Sequence, residues 1–368
     1  MKTIKFQESS HEDAFFNEVR EKVRGYFRQN GYDGYATRAV WLKGSIYGLA
    51  SVFLYVLILT GGLPVSWWWL CWIGWGIASL LFGLNIGHDG AHNALSGHKG
   101  LNKLLFYLSF NALGASAYLW GLRHVQSHHL FPNVDGCDAD IDDTRVLRLS
   151  PNRPIYDFHR YQHLYAPFLY LFYSLVWVFY KDFNILNKKR LANLRNIRHP
   201  RSEVVAFFLL KALYLYLALI VPLQYSGYTP GQVLAGFILM HFCLSYAFIF
   251  GLIGSHFSDE AHFQSLDARG YLPHSWAIHQ LITSVDYHAK SPWANLIFGG
   301  FNAHSAHHLF PSVSHIHYPA ISRIIEEACH KHNIPYKNLT LGEAIRAHFR
   351  YLKKMGVDSR AGERMQMS

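Results

Sequence analysis

Charged side chains are scarce in this sequence. Asp, Glu, Lys and Arg make up 16% of its 368 residues, where a soluble domain carries about 25%. A soluble chain of this length would form two or three domains, and the shortage of charge argues against that reading. Carboxylates are scarcer still: 24 Asp and Glu against 34 Lys and Arg, a formal net charge of +10. Such an excess suits nucleic acid, an anionic membrane surface or an acidic protein partner. The apolar runs favour the last two and point away from nucleic acid. Only four cysteines are present, Cys71, Cys137, Cys243 and Cys329. They form no CxxC pair, which excludes a disulfide framework and a zinc knuckle. Met1 to Asn30 is charged and amphipathic, with no apolar core of a signal peptide. Low-complexity segments, a flavin fingerprint and an Fe–S cysteine cluster are also missing.

Apolar side chains fill the space left by charge, at 51% of residues. Four stretches approach the ~20 apolar residues that a bilayer crossing needs. They run roughly over 44–63, 64–87, 204–224 and 231–255. Trp67, Trp68 and Trp69 open the second, where an interfacial aromatic belt would sit. The links within each pair, Gly61 to Pro64 and Tyr225 to Pro230, are short and uncharged. Lys181, Lys188, Lys189, Arg190, Arg195, Arg198 and Arg201 gather before the third stretch, so the positive-inside rule puts both termini and the middle segment in the cytoplasm. The expected fold is an all-α integral membrane protein. Four transmembrane helices form two hairpins under a cytoplasmic helical cap.

The expected division has an N-terminal segment over 1–43, a membrane domain over 44–319 and C-terminal cytoplasmic helices over 320–368. Ala320 to Gly356 reads as two amphipathic helices broken at Ile334-Pro335. Ala14 to Phe27 is a basic amphipathic helix that fits either the membrane surface or the cap. Leu101 to Trp120 and Ala166 to Tyr180 are apolar but read as interfacial or re-entrant. If either crossed alone, the histidine clusters around them would fall on opposite faces. Within the third stretch Lys211 is expected to snorkel to the surface. His241, in the fourth, is expected to be a core residue rather than a ligand.

Histidine is the most unusual feature of the composition, with 24 residues, as many as all carboxylates together. Three clusters stand out. His88 and His92 lie four apart in HDGAH. His124, His128 and His129 form HVQSHH, and His304, His307 and His308 form HSAHH. Helical positions i, i+3 and i+4 share a face, so each cluster presents its imidazoles to one point. Imidazole is a ligand for iron, copper and zinc. One tetrahedral zinc takes four ligands; eight histidines suit two metals better. The second and third clusters are followed by HLFPNV and HLFPSV, so a helix delivers ligands and Pro132 or Pro311 ends it.

With these three boxes the chain resembles the membrane fatty acid desaturases, whose hallmark is HxxxH, HxxxHH and (H/Q)xxHH. It is similar to the bacterial branch grouped with linoleoyl-CoA and acyl-lipid desaturases. The likeness extends through HDGAHNALS, PNVDGCDADID, WAIHQLITS, GGFN and HLFPSVSHIHYPAI. It implies two iron ions, O₂ as co-substrate and a fatty acyl substrate in the membrane that gains a C=C bond. It also implies a ninth ligand, His256 in GSHFSDE, beside the other eight histidines. Asp89, Asp259, Glu260, Asp286 and Asn302 are the candidates to hold ligand imidazoles by hydrogen bonds. The chain departs from the family at box three, where His304 and Ala306 replace the Gln and Glu of QVEHH. It also departs at Asp286, often Asn, and at Leu252, an Asn in animal stearoyl-CoA desaturases. It lacks the HPGG haem motif of fused cytochrome b5 domains, so a separate electron donor of ferredoxin or cytochrome b5 type is expected. Arg123, Arg145, Arg148 and Arg153 are candidates to meet a lipid phosphate, or else solvated cap residues. Two alternatives stay open: a di-iron hydroxylase of a lipid or other hydrophobic substrate, and a non-enzymatic metal or haem membrane protein.

Overall fold

The computed structural model describes residues 4–141, 145–252 and 254–357. The outer ends of the N- and C-terminal segments, and Asp142 of the motif after box two, lie outside them. The chain opens with α1 (Ser10–Asn30), capped by Ser9 Oγ and ended by Gly31 in the left-handed region. Two long apolar helices follow, α2 (Arg38–Thr60) and α3 (Val65–Ala91). Next come α4 (Lys99–Ala112) and α5 (Ala117–Arg123). Then α6 (Asp157–Leu171) and α7 (Tyr173–Leu186) meet at a bend of 69°. The second long pair is α8 (Arg201–Tyr225) and α9 (Pro230–Leu252). Five shorter helices complete the fold: α10 (Trp276–Ile282), α11 (Pro292–Phe298), α12 (His304–Leu309), α13 (Tyr318–Lys331) and α14 (Leu341–Met355). Three β ladders of two residues per strand pin loops and are the exception to the all-α reading.

Four helices, α2, α3, α8 and α9, are long and apolar enough to cross a membrane. Their bounds lie within a few residues of the expected ones, except that α2 starts six residues earlier. The outward face of α2 carries Leu42, Ile46, Leu49, Val52, Phe53 and Val56, all exposed. An apolar face of that size on a helix suits lipid. Between α3 and α9 the backbones approach closely. A Cβ at Gly76 would lie 2.6 Å from Met240, and one at Gly236 2.7 Å from Trp72. Small residues permit such packing where helices meet without a hydrophobic drive from water. Trp68 and Trp72 fill the adjoining core with Phe237, Met240 and Tyr214.

Two polar side chains within these helices are fully engaged. His241 meets Ser174 Oγ at 2.8 Å and Tyr214 Oη at 2.9 Å, as a core residue would. Lys211 does not snorkel. It is buried, paired with Asp182 at 2.8 Å and donates to the carbonyls of Gly114 and Val178. The bent pair α6–α7 carries a carboxylate to it, and a neutralised ammonium has no need to reach water. The helix α1 packs on α10 and α13: Phe15, Val19 and Val23 share a core with Ile278, Leu281, Ile321 and Ile325.

Candidate metal centre

Each box owes its geometry to a local feature. The end of α3 has a π-helical turn over Gly83–Gly87, immediately before His88. Close approach of α4 is why glycine stands there: a Cβ at Gly87 would collide with Ser109 Oγ, and one at Gly90 would lie 2.8 Å from Asn102 O. Box two is itself a π turn, His124–His128, and His129 N donates to His124 O at 3.0 Å. Spacing alone predicts a plain α-helix here. The wider i→i+5 turn is a frequent feature of functional sites, and here it turns His124, His128 and His129 to one side. Box three is the six-residue helix α12. Asp286 caps its first turn, accepting from Ser305 N at 2.7 Å and from Tyr336 Oη at 2.6 Å. Ala306 is buried in the core shared with Phe15 and Ile321.

The boxes converge. His88, His92, His124 and His307 form one group, and His128, His256, His304 and His308 another; within each, one nitrogen per ring lies within 4.8 Å of all the others. All eight are buried. His129 belongs to neither group and stands between them. Its ring is 4.6 Å from that of His92 and 4.5 Å from those of His307 and His308.

Outward hydrogen bonds set which nitrogen faces in. His128 Nδ1–H donates to both oxygens of Asp138 at 3.0 Å. His256 Nδ1–H donates to Thr283 O at 2.8 Å, and His308 Nδ1–H to Gln280 Oε1 at 2.8 Å. A neutral imidazole has one N–H, so these bonds leave Nε2 as an inward lone pair. Inside the second group, His256 Nε2 lies 2.7 Å from His304 Nε2, 3.0 Å from His128 Nε2 and 3.2 Å from His308 Nε2. In the first group Nε2 of His88, His92 and His307 is buried with no hydrogen-bond partner among the described residues. Buried orphan nitrogens cost free energy, and facing lone pairs repel. A cation between them relieves both.

Electrostatics agree with that reading. Burial, then the fields of neighbouring imidazoles, hold His92, His129, His307 and His308 well below the ordinary histidine range. Burial likewise pushes His304 down to about 3 and His124 to about 4. Neutral imidazole is the form that binds metal. His128 goes the other way: burial opposes its charge, but Asp138 and then Asp140 outweigh burial and raise it.

The carboxylates picked from sequence act elsewhere. Asp259 pairs with Arg350 at 2.6 Å and Glu260 with Lys337 at 2.9 Å, so neither holds an imidazole. Asp89 accepts from Ser314 Oγ and His315 Nδ1, tying α3 to the segment after box three. Asn302 Nδ2 donates to His288 O. The groups that do hold imidazoles include Asp138, Gln280, the Thr283 carbonyl and Tyr318, whose hydroxyl lies 3.3 Å from His307 Nδ1; none is among the sequence candidates. Asp138 and Gln280 lie inside the motifs PNVDGCDADID and WAIHQLITS, which is the signal the sequence offers. Arg123 and Arg148 are buried braces rather than phosphate ligands. Arg123 Nε lies 3.2 Å from Asp140, and Arg148 donates to the carbonyls of Pro151, Arg153 and Met355.

Four membrane-length helices with a buried histidine cluster define a membrane protein whose imidazoles could hold metal. Residues 28–340 match the family model described as fatty acid desaturase, and the chain belongs to that family. It is 31% identical to the acyl-lipid (8-3)-desaturase of Physcomitrium patens, over 96% of this chain and 74% of that one. It is 29% identical to the sn-1 linoleoyl-lipid 6-desaturase of Synechocystis sp., over 93% and 96%, and 30% identical to that of Arthrospira platensis, over 94% and 93%. This protein is an oxidoreductase, a fatty acid desaturase.

Proposed function

We propose that this desaturase uses two iron ions and O₂ to insert a C=C bond into an acyl group of a membrane lipid. The nine histidines 88, 92, 124, 128, 129, 256, 304, 307 and 308 are the proposed ligands. The observation that carries this is the pair of buried four-imidazole groups, with Nε2 of His88, His92 and His307 unpartnered among the described residues. When bound, the irons would supply the redox chemistry that an inert C–H bond, far from any functional group, demands. The protein's own residues orient and shield. Asp138, Gln280 and the Thr283 carbonyl hold imidazoles in the ligating tautomer. Trp120, stacked on His124 at 4.2 Å, and Phe301, 4.2 Å from His88, form a dry aromatic wall that excludes water. The balance is simple: the CH₂–CH₂ unit loses two hydrogens as two electrons and two protons. Two further electrons from a donor and two protons from water complete the reduction of O₂ to two waters.

The double bond is proposed at carbon 5 or 6, the positions in the names of relatives such as the sn-1 linoleoyl-lipid 6-desaturases and a probable Delta(5) desaturase of Dictyostelium discoideum. The four long helices are proposed to cross as two hairpins, with the cap and the active site in the cytoplasm of a bacterial inner membrane. The proposal also divides the sequence at residues 43 and 319. The donor is a small ferredoxin or cytochrome b5 type protein. Support for its docking place comes from the basic hairpin over 190–195. That hairpin packs on box two, where Asn193 donates to Gln126 O and Leu191 shares a core with Leu119 and Leu122. The deciding experiment is fatty-acid profiling, with ¹⁸O₂, of a host expressing the protein beside a His307→Ala control. A new C=C at carbon 5 or 6, absent from the control, is expected. A labelled hydroxyl would instead mean hydroxylation.

A further inference from the structure

Helix α11 does not match the rest of the cap. It is seven residues long, capped by Ser291 and closed by Gly299 in the left-handed region. Trp293 is 77% exposed, Ile297 51% and Leu296 36%. At i, i+3 and i+4 these three side chains share one face. Trp293 is the most exposed large apolar side chain among the described residues, and an aqueous surface gains nothing from it.

The position of α11 supplies the occupant. Leu296 O accepts from Lys43 Nζ at 3.4 Å and from Tyr47 Oη at 3.3 Å, both on α2. Ile297 O accepts from Asn85 Nδ2 at 3.3 Å, on α3. The helix therefore sits against the histidine-side ends of both membrane helices. Tyr47 is nine residues past the start of α2, and at 1.5 Å per residue that is roughly 13 Å along its axis. The neighbouring outward face of α2 begins with the exposed Leu42 and Ile46. The apolar face of α11 thus continues a lipid-facing surface at the depth where tryptophan prefers to lie.

We propose that α11 is a membrane-interface anchor, with Trp293, Leu296 and Ile297 seated at the headgroup–acyl boundary of the leaflet on the histidine side. The short run from Gly299 to Ala303 joins it to box three. Gly299 and Gly300 take φ of 59° and 88° there, and a Cβ at Gly299 would collide with Leu84 O. Only glycine fits both demands.

The test is nitroxide labelling of Trp293→Cys and, separately, Ile297→Cys in lipid nanodiscs of phosphatidylcholine and phosphatidylglycerol. Accessibility to O₂ and to a water-soluble nickel chelate is compared with Leu49→Cys on α2 and Glu327→Cys on α13. Both labels on α11 should favour O₂, as at Leu49. A second measure is the loss of quenching by brominated lipid in Trp293→Phe relative to the parent protein. Nickel access equal to that at Glu327 for both labels, or unchanged lipid quenching in Trp293→Phe, would overturn the proposal. Neither measure depends on iron or on turnover, so failure here is separate from failure of the proposed chemistry.

Discussion

Asp138 grips His128 with both carboxylate oxygens, each 3.0 Å from Nδ1, and is itself fully buried. Its second oxygen also accepts from Asn133 N at 2.9 Å, which locks the carboxylate in place. A carboxylate so placed fixes the imidazole's tautomer and makes it a stronger ligand. Asp138→Asn should therefore lower iron affinity or turnover about 10–100-fold. Iron content after mild chelation, read beside desaturation rate, checks this. Retention of parental iron and rate would remove Asp138 from the site's working parts.

Purified protein should hold two irons per molecule, and His88→Ala and His256→Ala should each lose metal from a different group. Elemental analysis gives the count. Stoichiometric zinc, with no activity restored by iron, would contradict the di-iron assignment.

Much of this centre is legible as spacing. HDGAH closes α3 and HSAHH forms α12, as helical spacing predicts, but HSAHH does not aim at one point: His307 joins one group, and His304 and His308 the other. The π turn in box two is not legible, because a switch from i+4 to i+5 bonding is decided by tertiary packing rather than local propensity. Nor are the partners of the rings. Asp138 lies ten residues beyond His128 and Gln280 twenty-eight before His308, and one carboxylate in a run of Asp looks like the next. The family motifs bracket both without telling which member touches a ring. Lys211 misleads for a related reason. The snorkelling rule assumes a lone cation, and its partner Asp182 arrives only through the bend between α6 and α7.

That pair offers a stability test. Asp182 accepts from Lys211, Ser116 N and Trp177 Nε1, all within 2.9 Å. Lys211→Met leaves a buried carboxylate without its cation, a loss of about 3–5 kcal/mol for a pair of this kind. Melting in detergent should drop clearly. Adding Asp182→Asn should recover part of the loss, since the stranded charge is then gone. A melting point in Lys211→Met equal to the parent's would show that the pair carries no such coupling.

Topology can be tested with the same protein. Cys71, Cys137 and Cys329 are buried and Cys243 is half-buried, so an introduced surface cysteine should dominate labelling. Asn187→Cys should react with an impermeant maleimide only after the cells are opened. Reaction in intact cells would place the segment between α7 and α8 outside and end the four-crossing, cytoplasmic-cap proposal.

The last expectation concerns electrons. Desaturation draws two from outside, and the sequence holds no haem motif, flavin fingerprint or Fe–S cysteine cluster. Lys189, Arg190, Arg195 and Arg198 lie exposed on or beside the small ladder that pairs Arg190–Leu191 with Leu194–Arg195. The same hairpin touches the backbone of Gln126, between His124 and His128. An acidic carrier bound there would be delivered next to the histidine cluster, so charge and geometry favour one place. Opposite charge speeds encounter and is screened by salt, with a Debye length of about 8 Å at physiological ionic strength. Turnover with a ferredoxin or cytochrome b5 in neutral detergent should therefore show a donor KM that rises with salt. Charge reversal at Lys188, Lys189, Arg190, Arg195 and Arg198 should raise that KM at low salt and flatten its salt dependence, with kcat at saturating donor little changed. Anionic lipid also binds basic faces, and neutral detergent removes that competitor. A KM insensitive both to salt and to charge reversal would mean that the donor docks elsewhere and that these residues serve the membrane surface alone.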